Sequence, residues 1–247
     1  MTRSSDRHPK PARLLLAAAA VLVVGVLLML SGLGQSSANA WPETAGVTKK
    51  PTKSDAPRPA IKQRPIPFSK KRKHEMAAYS KRHYGKSEWR LTKPRVIVEH
   101  YAVAATLGEI FNIFKTDQPD AELGELPNTC AHFAVDGKGR IQQFVPLGIR
   151  CRHTVGLNDR SIGIEHTGFS DHQVLSDKDQ MHSSLQLTKW LRCRYDISIK
   201  NVIGHNESLS SPFHHEKVKK LRYQTHGDFK HKSMKRYRSQ LRTLGQC

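Results

Sequence analysis

The chain has 247 residues, which leaves room for one domain of ordinary size plus extensions. Lys and Arg number 41 against 21 Asp and Glu, so the formal net charge is +20. A balance so far from neutral favours anionic partners, such as nucleic acid, acidic lipid or an acidic polymer, and argues against a cationic one.

The amino-terminal residues carry a membrane-targeting signal. Residues 1–12 are polar and basic, and residues 14–33 are almost wholly apolar, close to the ~20 residues that span a bilayer. Ala38 and Ala40 frame a small-x-small signal-peptidase site, which favours cleavage before Trp41 over a retained anchor. We therefore predict a signal peptide or membrane anchor at residues 1–40. Because the basic residues precede the apolar run, either outcome places the rest of the chain outside the cytoplasm.

Residues 41–92 have the composition of a disordered basic linker, since Pro, Lys, Arg and Ser dominate and apolar residues are too sparse to form a core. A short helix over residues 74–83 is compatible with this prediction. The linker is either a solvated tether or a polycationic arm that binds anionic wall polymers or lipid head groups. Nucleic acid is a poor candidate partner, because an exported chain rarely meets it and no recognition fold accompanies the charge.

Residues 93–247 show alternating strand and helix patterns. Strands are predicted at 95–100, 130–135, 141–145, 161–165 and 202–203, and helices at 104–116, 181–195 and 232–243. A Gly-rich turn at 136–139 predicts that residues 130–145 form a hairpin. The polar segment 117–128 is predicted to be a loop at the rim of a substrate groove. The alternation predicts an α/β domain in which helices flank a central mixed β-sheet.

Four cysteines in an exported chain predict disulfides, and the sequence alone allows three pairings. We expect Cys130, near the hairpin, to pair with Cys151, and Cys193 and Cys247 to form a second pair. Zinc ligation by cysteine is disfavoured because the close Cys-x-x-Cys spacing is missing.

Two segments near the carboxyl terminus carry candidate metal ligands. The apolar pair at 202–203 predicts the end of a buried strand, and Gly204 is expected to turn the backbone so that His205 projects from the sheet edge. His226 and Asp228 are two residues apart, so in an extended segment both side chains point to the same side.

His100 completes a possible zinc site, because it ends the β-branched strand at 95–100 and would lie at the sheet edge. Catalytic zinc sites use three protein ligands, and His100, His205 and Asp228 form such a set with a fourth position open for water. Glu165 supplies an acid or base, because it faces away from the apolar residues of its own strand and toward the same region.

Five motifs together resemble one enzyme family. They are the strand that ends in His100, the hairpin strand 131–136, the strand 161–165, the pair Gly204 and His205, and the pair His226 and Asp228. In order and approximate spacing they resemble the zinc-dependent N-acetylmuramoyl-L-alanine amidases of the type 2 family, which are related to the peptidoglycan recognition proteins. The resemblance covers roughly residues 93 to 240.

The resemblance implies zinc as the cofactor, peptidoglycan as the partner, and a place in the cell wall or on the outer side of the membrane. The implied reaction is hydrolysis of the amide bond between N-acetylmuramic acid and L-alanine, with Glu165 as proton shuttle and His226 as hydrogen-bond donor to the oxyanion. A comparable histidine lines the cleft in the family, so His153 and Asn158 are candidate substrate-binding residues. The other interpretation is that His153 only caps a loop.

Two features depart from the family pattern. Ala131 stands where some phage members have a catalytic tyrosine, so the tyrosine-dependent mechanism is not expected. The segment between His205 and Asp228 is longer than in compact members, which leaves open that His226 is the third ligand and Asp228 its partner. The alternative function is a non-catalytic peptidoglycan-binding module, and the complete ligand set together with Glu165 favours the hydrolase.

Overall fold

The computed structural model describes residues 56–247, which form a six-stranded mixed β-sheet flanked by helices, as the sequence predicts. The strands are β1 (Ile61–Gln63), β2 (Val96–Tyr101), β3 (Phe133–Val135), β4 (Ile141–Gln143), β5 (Ser161–His166) and β6 (Val202–Gly204). Their order across the sheet is β1-β4-β3-β5-β2-β6. All neighbouring pairs are parallel except the predicted hairpin of β3 and β4.

The helices pack on both faces of this sheet. They are α1 (Lys70–Tyr84), α2 (Leu107–Lys115), α3 (Asp171–Ser176), α4 (Lys178–Tyr195) and α5 (His231–Thr243). Three of them, α2, α4 and α5, confirm the helices predicted from apolar spacing. Within residues 56–247, no helix combines the length and the apolar character that crossing a membrane requires. The predicted apolar segment at 14–33 lies outside the described residues.

Two strands, β2 and β5, form the centre of the sheet, and almost all of their residues are buried. Strands covered on both faces are apolar without interruption except where function or hydrogen bonding requires a polar side chain. One face of the sheet packs on α4 and α5, where Ile97 and Ile162 are fully buried. Because side chains alternate along a strand, His100 and Glu165 lie on the opposite face.

The segment 56–92 differs from the linker predicted for residues 41–92, because it is part of the folded domain. Strand β1 pairs in parallel with β4 at the edge of the sheet, and α1 begins at a Ser69 cap and ends at Gly85, whose φ of 82° suits glycine. Met76, Tyr79 and Tyr84 form a small buried cluster. The remaining part of the predicted linker lies outside the described residues.

Buried polar contacts attach α1 to the rest of the domain. The imidazole of His83 is fully buried, with Nδ1 2.9 Å from Glu216 and Nε2 2.8 Å from Glu125. The guanidinium of Arg72 is also fully buried and donates to the backbone carbonyls of Phe114 (3.0 Å) and Asn128 (3.3 Å). Composition alone could not predict that α1 packs into the domain, because the buried side chains that hold it, Arg72 and His83, are of types that normally face solvent.

Both predicted disulfides are present, one between Cys130 and Cys151 and one between Cys193 and Cys247. The first links the start of the hairpin to the loop before β5. The second links α4 to the carboxyl-terminal residues that follow α5.

Replacing Arg72 by methionine tests whether α1 belongs to the fold. The substitution leaves buried carbonyl groups without a donor, so we expect the free energy of unfolding to fall by about 3 kcal/mol. Lys70→Met is the matched control, because Lys70 is exposed on the same helix; we expect its effect to stay within about 0.5 kcal/mol. Equal stability of the two variants in urea unfolding would show that α1 is not anchored by Arg72.

Candidate active site

The parallel register of the central strands brings the predicted site residues to one edge of the sheet. His100 on β2 pairs with Glu165 on β5, and Glu99 pairs with Gly204 on β6. His205 therefore follows β6 directly beside His100. Residues that are 65 and more positions apart in sequence become neighbours because parallel strands end at the same edge.

Gly204 is needed for a different reason from the one the sequence suggests. Its φ of −82° and ψ of 160° are extended values that any residue adopts, so no glycine-specific turn is present. A Cβ atom at this position would instead lie 1.9 Å from the carbonyl oxygen of Phe229. Glycine thus allows the segment that carries Asp228 to approach β6 closely enough for its carboxylate to reach the two histidines.

Three buried side chains converge at this edge. Nδ1 of His100 lies 3.1 Å from Asp228 Oδ2 and 3.1 Å from His205 Nδ1, and His205 Nδ1 lies 3.4 Å from Asp228 Oδ1. Burial lowers the pKa of His205 well below its ordinary value, which keeps its imidazole neutral and able to bind a metal. Within residues 56–247, His100, His205 and Asp228 are the side chains whose donor atoms lie close enough together to bind one metal ion.

Glu165 lies beside this group on the same face of the sheet. Its side chain is almost completely buried, and burial raises its pKa to about 7, although the nearby His100 opposes the shift. Its Oε2 atom is buried and has no hydrogen-bond partner within residues 56–247. A carboxyl group with this pKa can both accept and donate a proton at neutral pH.

His226 lies at the rim and is not part of the converging group. Its Nε2 is 3.0 Å from Glu122 Oε2, and its ring stacks on His205 at a centroid distance of 4.5 Å. The side chain of His226 is 45% exposed, whereas that of Asp228 is 10% exposed. The geometry therefore favours Asp228 over His226 as the third ligand.

His153 packs against the far side of the His100 ring. Its Nδ1 lies 3.1 Å from His100 Nε2 and 2.9 Å from the hydroxyl oxygen of Thr154. Gly163 on β5 makes room for it, since a Cβ there would lie 2.7 Å from the His153 ring. His153 also lines the cavity beside the converging residues. Its side chain therefore contacts His100 and is also open to a ligand in that cavity.

Asn158 organises the loop that carries His153. Its side-chain oxygen accepts hydrogen bonds from the backbone N–H groups of His153 (2.8 Å) and Thr154 (2.7 Å). Its side-chain nitrogen donates to Tyr79, and its backbone N–H donates to Tyr84. Because Asn158 is 1% exposed and these partners occupy its amide, the structure gives it a positioning role, and its contact with substrate stays a prediction.

The contacts of Tyr79 and Tyr84 make α1 part of the site. Both hydroxyl groups come from the segment that composition assigned to a linker, and both bind Asn158. The sequence signal for this role was weak: an aromatic pair five residues apart within a basic stretch. Each tyrosine hydroxyl is buried against a specific partner, as tyrosines in protein interiors usually are.

A cavity of about 590 Å³ opens beside the converging residues. His100, Glu165 and Asp228 belong to its lining. Val103 (66% exposed) and Ile113 (49% exposed) form an apolar rim. The φ of Val103 is 49°, a strained value for a β-branched residue, and such strain is concentrated at functional sites.

The family model for N-acetylmuramoyl-L-alanine amidase matches residues 90–219. The chain belongs to this family, the type 2 amidases. Among solved structures, it is similar to the amidase LysC from Clostridium intestinale URNW, with 18% identity over 75% of this chain and 97% of that one and a TM-score of 0.44. A mutant endolysin from Bacillus subtilis has 21% identity over 74% and 98% of the two chains and a TM-score of 0.43. The catalytic domain of XlyA has 18% identity over 74% and 99% and a TM-score of 0.46.

No curated protein matches the chain significantly. Membership of the amidase family supports hydrolysis of an amide bond in peptidoglycan, and it confirms the resemblance that the five motifs indicated. The match begins at residue 90, so β1 and α1 precede the part of the amidase that the family model describes.

Asn158→Ala tests the positioning role. The substitution leaves two buried N–H groups without an acceptor, so we expect the free energy of unfolding to fall by about 2 kcal/mol. We also expect faster hydrogen exchange at the amides of His153 and Thr154, measured by NMR. Asn201→Ala, in the turn before β6, is the control and should leave those two amides unchanged. Unchanged exchange in Asn158→Ala would contradict the role.

Proposed function

We propose that this amidase binds one zinc ion through His100, His205 and Asp228 and hydrolyses the bond between N-acetylmuramic acid and L-alanine. The observation that carries the proposal is the convergence of three buried donor atoms next to an unpartnered carboxyl oxygen of Glu165. Family membership supports the substrate class.

The donor set fits zinc in spacing and in chemistry. The Nδ1 atoms of His100 and His205 are 3.1 Å apart, and they lie 3.1 Å and 3.4 Å from the two carboxylate oxygens of Asp228. Ligands bound at 2.0–2.1 Å in a tetrahedral zinc centre are about 3.3 Å apart, so a single ion could reach all three. Two histidine nitrogens and one carboxylate are also a common protein set for catalytic zinc. When bound, zinc would lower the pKa of a water molecule and polarise the substrate carbonyl.

Glu165 is the group that we assign to proton transfer. Glu165 pairs with His100 in the strand register and belongs to the lining of the cavity, which supports this assignment. Oε2 takes a proton from the water that attacks the carbonyl carbon, and the same atom returns it to the leaving amide nitrogen. Burial supports both steps, because it raises the pKa of Glu165 to about 7, near the pH at which the proton must be taken and given back.

His226 is the hydrogen-bond donor that we assign to the developing oxyanion. It lines the cavity next to His205, and its Nε2–H donates to the Glu122 carboxylate at the rim, so the group that we assign to the oxyanion is its Nδ1–H. A donor fixed in advance stabilises negative charge more effectively than one that must be ordered during the reaction. His153, which also lines the cavity, is the residue that we assign to substrate contact.

The place of action follows from the substrate. Peptidoglycan lies outside the cytoplasmic membrane, so family membership is consistent with extracytoplasmic action. Export through residues 1–40, and binding of anionic wall polymers or lipid head groups by the basic residues before the fold, remain predictions from the sequence.

Metal content is the first test. We expect close to one equivalent of zinc per chain by elemental analysis, and a sharp loss in His205→Ala. His172→Ala is the control, because His172 is exposed on α3 and should keep the full zinc content. A folded and active protein without metal would exclude the zinc assignment.

Glu165→Gln tests the proton shuttle. The substitution keeps the shape of the side chain and removes its ability to carry the proton, so we expect kcat to fall by at least ~100-fold while zinc content and circular dichroism are unchanged. Release of peptide from soluble muropeptides is the assay, and Glu109→Gln on the exposed face of α2 is the control. Full activity of a metal-loaded Glu165→Gln protein would rule out the mechanism. If the wild-type protein binds muropeptides but does not cut them, the alternative function, a non-catalytic peptidoglycan-binding module, is favoured instead.

A further inference from the structure

His153 makes a polar contact with the proposed ligand His100 that the reaction as assigned above does not use. The Nδ1 atom of His100 lies 3.1 Å from Asp228 Oδ2 and 3.1 Å from His205 Nδ1. Its other ring nitrogen, Nε2, lies 3.1 Å from Nδ1 of His153. A neutral imidazole carries a proton on one nitrogen and a lone pair on the other. The availability of the Nδ1 lone pair of His100 to an ion therefore depends on the partner of its Nε2.

Strand β5 holds His153 in place from the other side. Positions 161, 163 and 165 alternate along β5, so all three face the same side of the sheet as His100. The hydroxyl oxygen of Ser161 lies 3.2 Å from Nε2 of His153. Gly163 leaves space for the ring, because a Cβ atom there would lie 2.7 Å from it. One strand thus supplies the proposed base Glu165, the room for His153 and a partner for its second nitrogen.

The far end of this chain of hydrogen bonds sets the order of the protons. The backbone carbonyl oxygen of Leu157 can only accept, so the Ser161 hydroxyl, 2.8 Å away, donates to it. Ser161 is fully buried, so solvent does not compete for that proton. The Ser161 oxygen therefore accepts from Nε2–H of His153. In the neutral ring this leaves the lone pair of His153 on Nδ1, where it faces Nε2 of His100.

Thr154 keeps the same direction of hydrogen bonding. Its hydroxyl oxygen lies 2.9 Å from His153 Nδ1 and 3.4 Å from His100 Nε2. Because Nδ1 of His153 carries a lone pair, the Thr154 hydroxyl donates to it, and the Thr154 oxygen can still accept from His100. The proton of His100 is held on Nε2 by the direct contact with His153 and by the route through Thr154 alike. The lone pair of His100 then lies on Nδ1, toward His205 and Asp228.

We propose that His153 and Ser161 are positioning residues that fix the tautomer of His100, so that its Nδ1 is available to zinc. This role rests on the proposed function, because zinc is the ion that the lone pair would bind. Loss of a hydrogen-bond partner behind a ligating histidine typically lowers metal affinity about 10- to 100-fold. A residue that only touches substrate would change KM and leave zinc affinity as it is, so the two roles of His153 are separable.

The first experiment compares His153→Asn and His153→Leu, two variants of nearly equal shape, in the whole chain. Asparagine can place its side-chain oxygen where Nδ1 of His153 stood and accept from His100, whereas leucine cannot. The quantity is the dissociation constant for zinc, measured by competition with a chromophoric chelator. We expect His153→Leu to bind zinc at least about tenfold more weakly than His153→Asn. Equal zinc affinity of the two variants, with a change in KM alone, would overturn the inference.

A second measurement does not depend on zinc. NMR of metal-free protein labelled with ¹⁵N-histidine shows which ring nitrogen of His153 carries the proton. We expect Nε2 in the wild type and a mixture of both tautomers in Ser161→Ala. Ser80→Ala is the control, because Ser80 is also fully buried but bonds to Arg150, and it should keep the wild-type tautomer. A proton on Nδ1 of His153 in the wild type would contradict the inference. If the wild type binds no zinc, the proposed function has failed, and this measurement still decides the order of the protons.

Discussion

The site depends on the parallel pairing of β2 with β5 on one side and with β6 on the other. This register sets His100 beside Glu165 and makes His205 the next residue after the neighbouring strand. A slip of one residue in either pairing would turn these side chains to the opposite face. Because β2 and β5 are buried on both faces, such a slip would move His100 and Glu165 into the apolar core, and the fold thereby fixes the relative positions of the proposed ligands and the proposed base.

The opposite face of β2 holds the same register through a buried polar network. Nδ1 of His166 donates to the backbone carbonyl of His100 at 2.8 Å, and its Nε2 accepts from Ser184 at 2.7 Å. The hydroxyl of Thr188 on α4 donates to Glu99 at 2.8 Å. Burial lowers the pKa of His166 to about 4, so its ring is neutral and donates through one nitrogen only. Helix α4 thus supports the strand directly behind the catalytic face.

Sequence reasoning could place β2 to β6, the hairpin, α2, α4 and α5, because these elements have clear apolar patterns, but it missed β1, which lies in the predicted linker. It could also name His100, His205, Asp228 and Glu165, since each stands at the end of an apolar strand or in the motif order of the family. It could not predict the hydrogen bonds by which Asn158 holds the loop of His153, because a buried carboxamide and a ligand-binding one have the same local sequence.

A short helix over residues 74–83 was allowed by the sequence, but the packing of α1 into the domain was missed for a related reason. Its buried contacts come from Arg72 and His83, which composition counts as solvent-facing, and their partners lie more than 40 residues away. The role of Gly204 was also out of reach, because it depends on Phe229, which approaches only in the folded state. Long-range contacts between polar groups leave no periodic signal in the chain.

The imidazole of His83 between two carboxylates has a consequence for alkaline conditions. Burial alone would lower its pKa, but the hydrogen bonds and charges of Glu125 and Glu216 outweigh burial and raise it above the ordinary 6.5. The stabilisation from this pairing is therefore complete below pH 6.5 and is lost as pH rises through the raised value. Tyr79 stacks on the same ring at 3.7 Å and binds Asn158. Loss of that one proton would loosen the outer support of the loop behind His100, so the rigidity of the site should decline as its surroundings become basic.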